Sequence, residues 1–258
     1  MGKQSSYGKA TKKKTSPVAP TFFEKSDSLE GFEDISTQTM AIPFIRVLQT
    51  LSPQLNKKKP EFIEGAQEGM FFNSVTKEVY GPNVSVIVLK FERIFIEWLP
   101  DRGGLVNYHS PEHAEEIATD KSKFGSWKTK TGNLLQENYV YYIIIVGRET
   151  EGVAVLPLTS TGIKTAKGWN RLMTTHVMDN GRKALPFYLV WALETEYREN
   201  DQGNWYVPIV RIKNYITEKQ YAIITPERKM LPSRQVDYAQ LAAPESNEDE
   251  DKEVETAF

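Results

Sequence analysis

A run of sixteen residues, VSVIVLKFERIFIEWL from 84 to 99, limits the possible folds more than any other stretch of the chain. Its β-branched and aromatic residues largely alternate in the way that a β-strand requires. The alternation slips between Lys90 and Arg93, and a slip of this kind predicts a bulge or a bend. A long strand with a bend is typical of a sheet that curls round a small barrel. The run therefore predicts a curved strand at the centre of the fold.

Two hairpins are predicted after this strand. Residues 138–146 and 152–158 are rich in β-branched and aromatic residues and flank a short turn. Residues 187–198 and 205–215 have the same character, and the turn between them contains Asp201 and Gly203. Together with the long run, these segments predict five core strands.

Helices are predicted in two places. Within residues 159–178 the apolar period changes to that of a helix, and Thr161 can cap it. Shorter helical pieces are expected in residues 217–243, which two prolines interrupt. This order predicts a mainly β fold. We expect a five-stranded Greek-key barrel of the oligonucleotide-binding (OB) type, with long loops, an intervening helix and short C-terminal helices.

The charge of the chain is concentrated at its two ends. Residues 1–20 contain five lysines and no acid, whereas residues 245–258 (ESNEDEDKEVETAF) contain seven acids and one lysine. Neither end can bury enough apolar area to fold alone. We therefore expect a disordered basic arm at 1–20, an OB-like domain at 21–244 and a disordered acidic tail at 245–258. The tail either docks on partners through its terminal aromatic, Phe258, or only improves solubility.

Several classes of protein are excluded or disfavoured. The chain has no cysteine, which excludes a disulfide framework and a thiolate zinc site and suits a reducing compartment. Its apolar runs are too short to span a bilayer, so we expect a cytoplasmic protein without membrane contact. His109 and His113 have metal-ligand spacing, but Ser110 and Pro111 predict that a helix begins after His109. No metal or other cofactor is predicted. No catalytic motif is recognisable, and we expect a protein that is not an enzyme.

Cations and aromatic rings that could bind single-stranded nucleic acid occur in three regions. Around Trp127, lysines surround one ring in a polar loop, although a ring that packs this loop onto the sheet would give the same pattern. In the predicted helix, three cations at i, i+3 and i+7 form a stripe, although such stripes are usually only solvated. The strands add rings for base stacking and cations for phosphates. The complete set is Arg93, Trp98, Lys123, Trp127, Lys128, Lys130, Tyr141, Lys164, Lys167, Arg171, Arg211 and Lys213.

Several segments resemble bacteriophage single-stranded-DNA-binding proteins of replication and recombination. They are the tail EDEDKEVETAF, the segments IPFIRVLQTLSP and EGMFFNSVTKEVYG, and the strand that ends in FIEW. The resemblance implies a protein that coats single-stranded DNA in phage replication, recombination and repair, in the host cytoplasm, and that could form a homodimer. It also implies that the tail competes with DNA and recruits replication and recombination proteins. The docking residues would be Asp249, Glu250, Asp251 and Phe258. The lysine arm has no counterpart in that family.

Two other functions are compatible with the same residues. A nuclease or other phosphoryl-transfer enzyme could use Mg²⁺ and carboxylates, because a site made of carboxylates alone is hard to recognise in one sequence. A phage structural or assembly protein could use the charged ends to form contacts with other subunits. The first alternative predicts cleavage of an oligonucleotide that depends on divalent cations, and the second predicts no quenching of tryptophan fluorescence by oligo-dT.

Overall fold

The computed structural model describes residues 41–100, 103–121, 126–201 and 203–233, together with Val236 and Tyr238. The predicted arm at 1–20 and the predicted tail at 245–258 lie outside the described residues. The same is true of Lys123 and of the four predicted docking residues of the tail, Asp249, Glu250, Asp251 and Phe258.

Strands dominate the described chain, which confirms the prediction of a mainly β fold. The strands are β1 (Ile45–Val47), β2 (Phe71–Asn73), β3 (Val79–Gly81), β4 (Asn83–Trp98), β5 (Leu105–His109), β6 (Ala118–Lys121), β7 (Ser126–Thr129), β8 (Leu134–Ile145), β9 (Ala154–Thr159), β10 (Leu189–Asn200) and β11 (Gly203–Tyr215). The helices are α1 (Pro111–Ile117), α2 (Gly162–Thr175) and α3 (Glu218–Met230). Short 3-10 turns lie at Pro53–Leu55, Glu149–Glu151, Pro186–Tyr188 and Leu231–Ser233.

The strands form two antiparallel sheets. The larger has the order β11-β10-β4-β8-β7-β6, with β5 added to β4 and β9 added to β8. The smaller consists of β1, β2 and β3. In a closed five-stranded barrel β9 would meet β11, but no such pairing occurs among the described strands. Instead β1 lies against both of them, and Phe44 forms a parallel bridge to Val155. The structure therefore does not show the closed barrel that we predicted. Strand β1 occupies the seam at which β9 and β11 would pair.

The long run at 84–99 forms β4, and its predicted irregularity is confirmed. The register of β4 against β8 shifts between Val88 and Lys90. Because side chains alternate along a strand, this extra residue places each later side chain of β4 on the face opposite to the one that simple alternation predicts. Before the shift, Val86 and Val88 pack beneath α2. After it, Phe91 is the residue that contacts Tyr141 on that same face.

The two faces of the large sheet have separate cores. We call the face under α2 the inner face and the face under α3 the outer face. On the inner face, the Trp169 ring of α2 stacks on Tyr141 at 4.3 Å between centroids and meets Trp191 edge-on at 5.8 Å. Both Trp169 and Trp191 are essentially inaccessible to solvent. Burial of three large rings makes this cluster a major source of the free energy that holds α2 in place.

The outer face is covered by the C-terminal part of the described chain. α3 begins at a capping box in which Thr217 and Gln220 exchange hydrogen bonds. Ile224 of α3 and the following Leu231 are buried against β4, β8 and β9. None of the helices in the described ranges has both the length and the apolar character needed to cross a bilayer.

A carboxylate holds the last described residue on the outer face. Glu92 accepts hydrogen bonds from the hydroxyls of Tyr142 (2.6 Å) and Tyr238 (2.8 Å), and it forms an ion pair with Lys90. Burial opposes ionisation of Glu92, but Lys90 and the two tyrosine hydroxyls outweigh it, so its pKa is lower than usual. The ionised Glu92 thus fastens the C-terminal segment to β4.

Candidate nucleic-acid interface

Helix α2 presents a face that is cationic and free of acidic residues. Lys164, Lys167 and Arg171 are all exposed, and the helix contains no aspartate or glutamate. No carboxylate of the described residues forms an ion pair with any of the three. The sequence places them together because residues at i, i+3 and i+7 share one side of a helix. The buried residues Ala166, Trp169 and Met173 take the opposite side. The predicted stripe is therefore present and has no intramolecular counter-charge in the described part of the chain.

Hydrogen bonds on both sides of α2 define its orientation on the sheet. On one side, the hydroxyl of Thr165 donates to the carbonyl of Pro208 in β11 at 2.8 Å. On the other, the hydroxyl of Tyr141 in β8 donates to the carbonyl of Ala166 at 3.1 Å and to the side-chain oxygen of Asn170 at 2.9 Å. Successive helical residues are about 100° apart. The basic stripe lies opposite the buried residues of α2 and therefore faces solvent, with Lys167 on the side of the stripe that is nearest to β8.

The two rings that we predicted to stack bases in the strands are buried. Tyr141 is completely buried, and burial raises the pKa of its hydroxyl well above the usual value, so it is a neutral donor to α2. Trp98 is 7 % exposed, and its indole N–H donates to Gln136 at 3.2 Å. In this structure neither ring has a free surface for a base, and both predictions are corrected. At Tyr141 the cause is α2, which packs over that ring.

The cations predicted in the strands are not brought together. Arg93 forms a 2.6 Å ion pair with the buried Glu137, and Arg211 forms an ion pair with Glu194. Lys213 donates to a serine hydroxyl of β4 at 2.9 Å. Arg93 lies on the inner face, whereas the other two lie on the outer face. They therefore do not form one phosphate-binding track, and carboxylates already neutralise two of them.

The β6–β7 hairpin supports the structural interpretation of its tryptophan. The ring of Trp127 stacks on the buried Phe95 at 4.5 Å, and the ammonium of Lys121 lies 5.2 Å from the Trp127 centroid. Trp127 thus packs this hairpin onto the sheet, as the alternative interpretation predicted. Lys128 and Lys130 are exposed at the far end of the hairpin. They remain available to a polyanion, but they lie away from α2.

The sequence prediction missed Phe91 as an exposed ring of the inner face. Phe91 is 37 % exposed on the inner face, and its ring lies 5.0 Å from Tyr141 and 5.6 Å from Tyr139. Simple alternation assigned Phe91 to the same face as Ile87 and Leu89. The bulge moved it to the opposite face, beside α2. The slip in the sequence pattern was visible, but its position and its consequence for residue 91 required the register of β4 against β8.

The outer face of β8 and β9 is closed. In OB folds the corresponding face of the second and third strands binds oligonucleotides. Here Ile224, Leu231 and Tyr238 pack over it in one apolar cluster with Tyr142 and Val155. A nucleic acid cannot reach this face in the described conformation. The exposed cations of α2 and the ring of Phe91 are therefore the better candidates.

A buried polar pair lies near one end of β4. The His109 ring contacts the carboxylate of Glu97 at 2.7 Å, and the Asn133 amide donates to the other oxygen of Glu97 at 2.7 Å. α1 begins at Pro111 with Ser110 as its cap, as predicted. The His113 ring is 5.0 Å from that of His109. Among the described residues, no group of three or more possible ligands could hold a metal ion. Glu97, His109 and Asn133 therefore form a structural link between β4, β5 and the β7–β8 turn.

Replacing Glu97 with glutamine should lower stability in a pH-dependent way. Burial opposes ionisation of Glu97, but the hydrogen bonds from Asn133 and His109 outweigh it and lower its pKa. A carboxyl whose pKa is lower in the folded state stabilises the protein above its unfolded pKa, and this stabilisation is lost as the pH falls through the folded pKa. We expect Glu97→Gln to cost about 1–3 kcal/mol at pH 7. Urea denaturation at pH 7 and pH 3 should show the difference from the wild type shrinking in acid. A difference that is constant with pH would contradict the assignment.

Comparison with known proteins adds the family. No curated protein and no solved structure matches the chain significantly. A sequence-family model described as "Pam3 phage gp34-like protein" matches residues 11–233, which is most of the chain. This match confirms the expected bacteriophage origin and carries no statement about DNA binding. The chain belongs to the family of Pam3 phage gp34-like proteins.

Proposed function

We propose that the protein binds single-stranded DNA and does so without catalysing a reaction. The observation that carries the proposal is the exposed, acid-free cationic face of α2, formed by Lys164, Lys167 and Arg171. A row of unpaired cations gains free energy on a phosphate backbone, because each phosphate that is neutralised releases condensed counterions. A solvated helical face on a soluble domain usually mixes acids with bases, and α2 does not.

We further propose that the body is an open relative of the OB fold. In chain order, β4, β8 and β9 pair in succession, α2 follows, and then come β10 and β11, with β10 returning to pair with β4. This is the connectivity expected for a five-stranded Greek-key barrel with a helix between its third and fourth strands. The difference lies at the seam, where β1 stands between β9 and β11. In this proposal DNA binds at α2, on the inner side of the large sheet, because α3 and the C-terminal segment cover the outer face.

In a bacteriophage, such a protein would coat single-stranded DNA during replication, recombination and repair. The acidic segment at 245–258 would compete with DNA for the cations of α2 and would dock partner proteins through Asp249, Glu250, Asp251 and Phe258. This part of the proposal rests on the charge of the sequence and on its resemblance to phage proteins that bind single-stranded DNA.

Titration of a labelled 20-nucleotide oligo-dT with the full chain tests the proposal. Three phosphate contacts on a single strand predict a slope of log K against log salt of about −2. Binding should therefore weaken roughly twentyfold between 50 and 200 mM salt. Absence of binding at 50 mM salt, or binding that does not depend on salt, would exclude this role for α2. In the same samples with Mg²⁺ added, shortening of the oligonucleotide would instead support the nuclease alternative.

A further inference from the structure

The ring of Phe91 is exposed, although the aromatic rings around it on the inner face are buried. Its aromatic neighbours on the inner face, Tyr139, Tyr141 and Phe95, are 7 % exposed or less, whereas Phe91 is 37 % exposed. The shift in register between Val88 and Lys90 is what puts it there. Bulges in strands are commonly found where a side chain has to be re-aimed at a functional site. Burial alone would favour the opposite face, which holds the outer core.

The ring of Phe91 is held rigidly from below. It leans on Tyr139 and Tyr141 at tilts of 40° and 41°. Tyr141 is itself fixed by two hydrogen bonds to α2 and by stacking on Trp169. A ring supported in this way loses little conformational freedom when a ligand packs against its outer side. Phe91 is therefore a preorganised apolar platform.

The charge beside Phe91 matches a nucleic-acid backbone. Tyr141 contacts both Phe91 and the edge of α2 formed by Ala166 and Asn170. Lys167 lies about 60° further round the helix than Asn170, on the side of the stripe nearest to β8. A strand whose phosphates contact the stripe at Lys167 can therefore turn a base towards Phe91. An aromatic ring beside a row of cations is the arrangement by which proteins hold single strands without reading sequence.

We propose that Phe91 stacks on one unpaired base and so makes the protein prefer single-stranded nucleic acid to a duplex. This inference rests on the proposed function of α2 and adds the residue that discriminates between the two forms. The bases of a duplex are stacked on each other and offer no free face to Phe91. The stripe of α2 attracts the phosphates of both forms alike. The discrimination therefore comes from the ring, and the overall attraction comes from the charges.

Binding of the Phe91→Leu variant tests the inference, because leucine keeps an apolar side chain and removes the ring. We expect affinity for 20-nucleotide oligo-dT to fall about tenfold, within the range for loss of one stacked base. Affinity for a 20-base-pair duplex should stay unchanged, and Phe91→Tyr should bind oligo-dT like the wild type. The same fall is expected with oligo-rU, because RNA also presents unpaired bases. A fall in affinity for only one of the two oligonucleotides would show whether the stacked base belongs to DNA or to RNA.

Tyr221→Leu is the matched control, because Tyr221 is a 45 % exposed ring on α3 and lies on the other face. It should not alter binding. Equal thermal unfolding of Phe91→Leu and the wild type checks that the variant is folded. Unchanged oligo-dT and oligo-rU binding by Phe91→Leu, or an equal loss with the duplex, would overturn the role of Phe91. If charge variants of α2 weaken oligo-dT binding while Phe91→Leu does not, only this inference fails. If the charge variants also bind oligo-dT like the wild type, the proposed role of α2 fails, and if the wild type does not bind oligo-dT, the proposed function fails.

Discussion

Reversal of the three charges on α2, in the variant K164E/K167E/R171E, should weaken oligo-dT binding on the order of a hundredfold at 50 mM salt. The variant removes three cations from the surface and adds three anions at the same places, so attraction becomes repulsion. The salt dependence should also become flatter, because fewer counterions are released on binding. Fluorescence anisotropy of a labelled oligo-dT, measured at several salt concentrations, gives both quantities.

The variant should remain folded. All three side chains are exposed, and no carboxylate of the described residues pairs with them, so their replacement breaks no described ion pair. The variant K57E/K58E/K59E is the matched control, because it makes the same change in net charge with exposed lysines of a loop far from α2 in the sequence. A loss of affinity that came only from the net charge of the protein would be equal in the two variants. Equal losses of affinity would therefore contradict a specific role for α2.

Replacement of Trp169 with alanine should lower the free energy of unfolding by about 3–5 kcal/mol. Trp169 is 1 % exposed, and it joins α2 to both Tyr141 and Trp191. The alanine variant would leave a large cavity at the centre of the inner core, and the surrounding rings can fill it only in part. Urea denaturation followed by circular dichroism measures the change in stability.

Two further variants separate packing from other effects at Trp169. The indole N–H has no hydrogen-bond partner among the described residues, so Trp169→Phe loses contact area without leaving a carbonyl unpaired. We expect it to cost about 1–2 kcal/mol. Leu172→Ala removes an exposed side chain from the same helix and should change stability by roughly 0.5 kcal/mol or less. Similar costs for Trp169→Ala and Leu172→Ala would show that the ring cluster does not hold α2.

The local elements of the fold were predictable because their signals lie within a few residues. The run at 84–99 forms one long strand, the hairpin pairs form β8–β9 and β10–β11, and the helix forms at Gly162–Thr175. The basic stripe of α2 was also predictable, because the spacing of Lys164, Lys167 and Arg171 is a property of the helix itself. Thr161 precedes the helix as expected, although its side chain makes no capping hydrogen bond.

The candidate site was predicted less well, because exposure and pairing depend on distant parts of the chain. Arg93 is neutralised by Glu137, a residue 44 positions away that becomes its neighbour only through the pairing of β4 with β8. Tyr141 is covered by a helix that begins about twenty residues later in the sequence. The local pattern identified these residues as cations and rings. That pattern contained no information on which distant residues would pair with these cations or pack over these rings.

The amino-acid sequence alone determined the five core strands, the acid-free basic helix, and the presence of an irregularity in the long strand. These features follow from side-chain periodicity and backbone preference within one element. Only the tertiary structure decided that β1 enters the seam of the sheet, that the C-terminal segment covers the outer face, and that the ring of Phe91 is exposed on the inner face. Each of these outcomes depends on the register and packing of elements far apart in the chain, and a shift of one residue between β4 and β8 is enough to change which ring faces solvent.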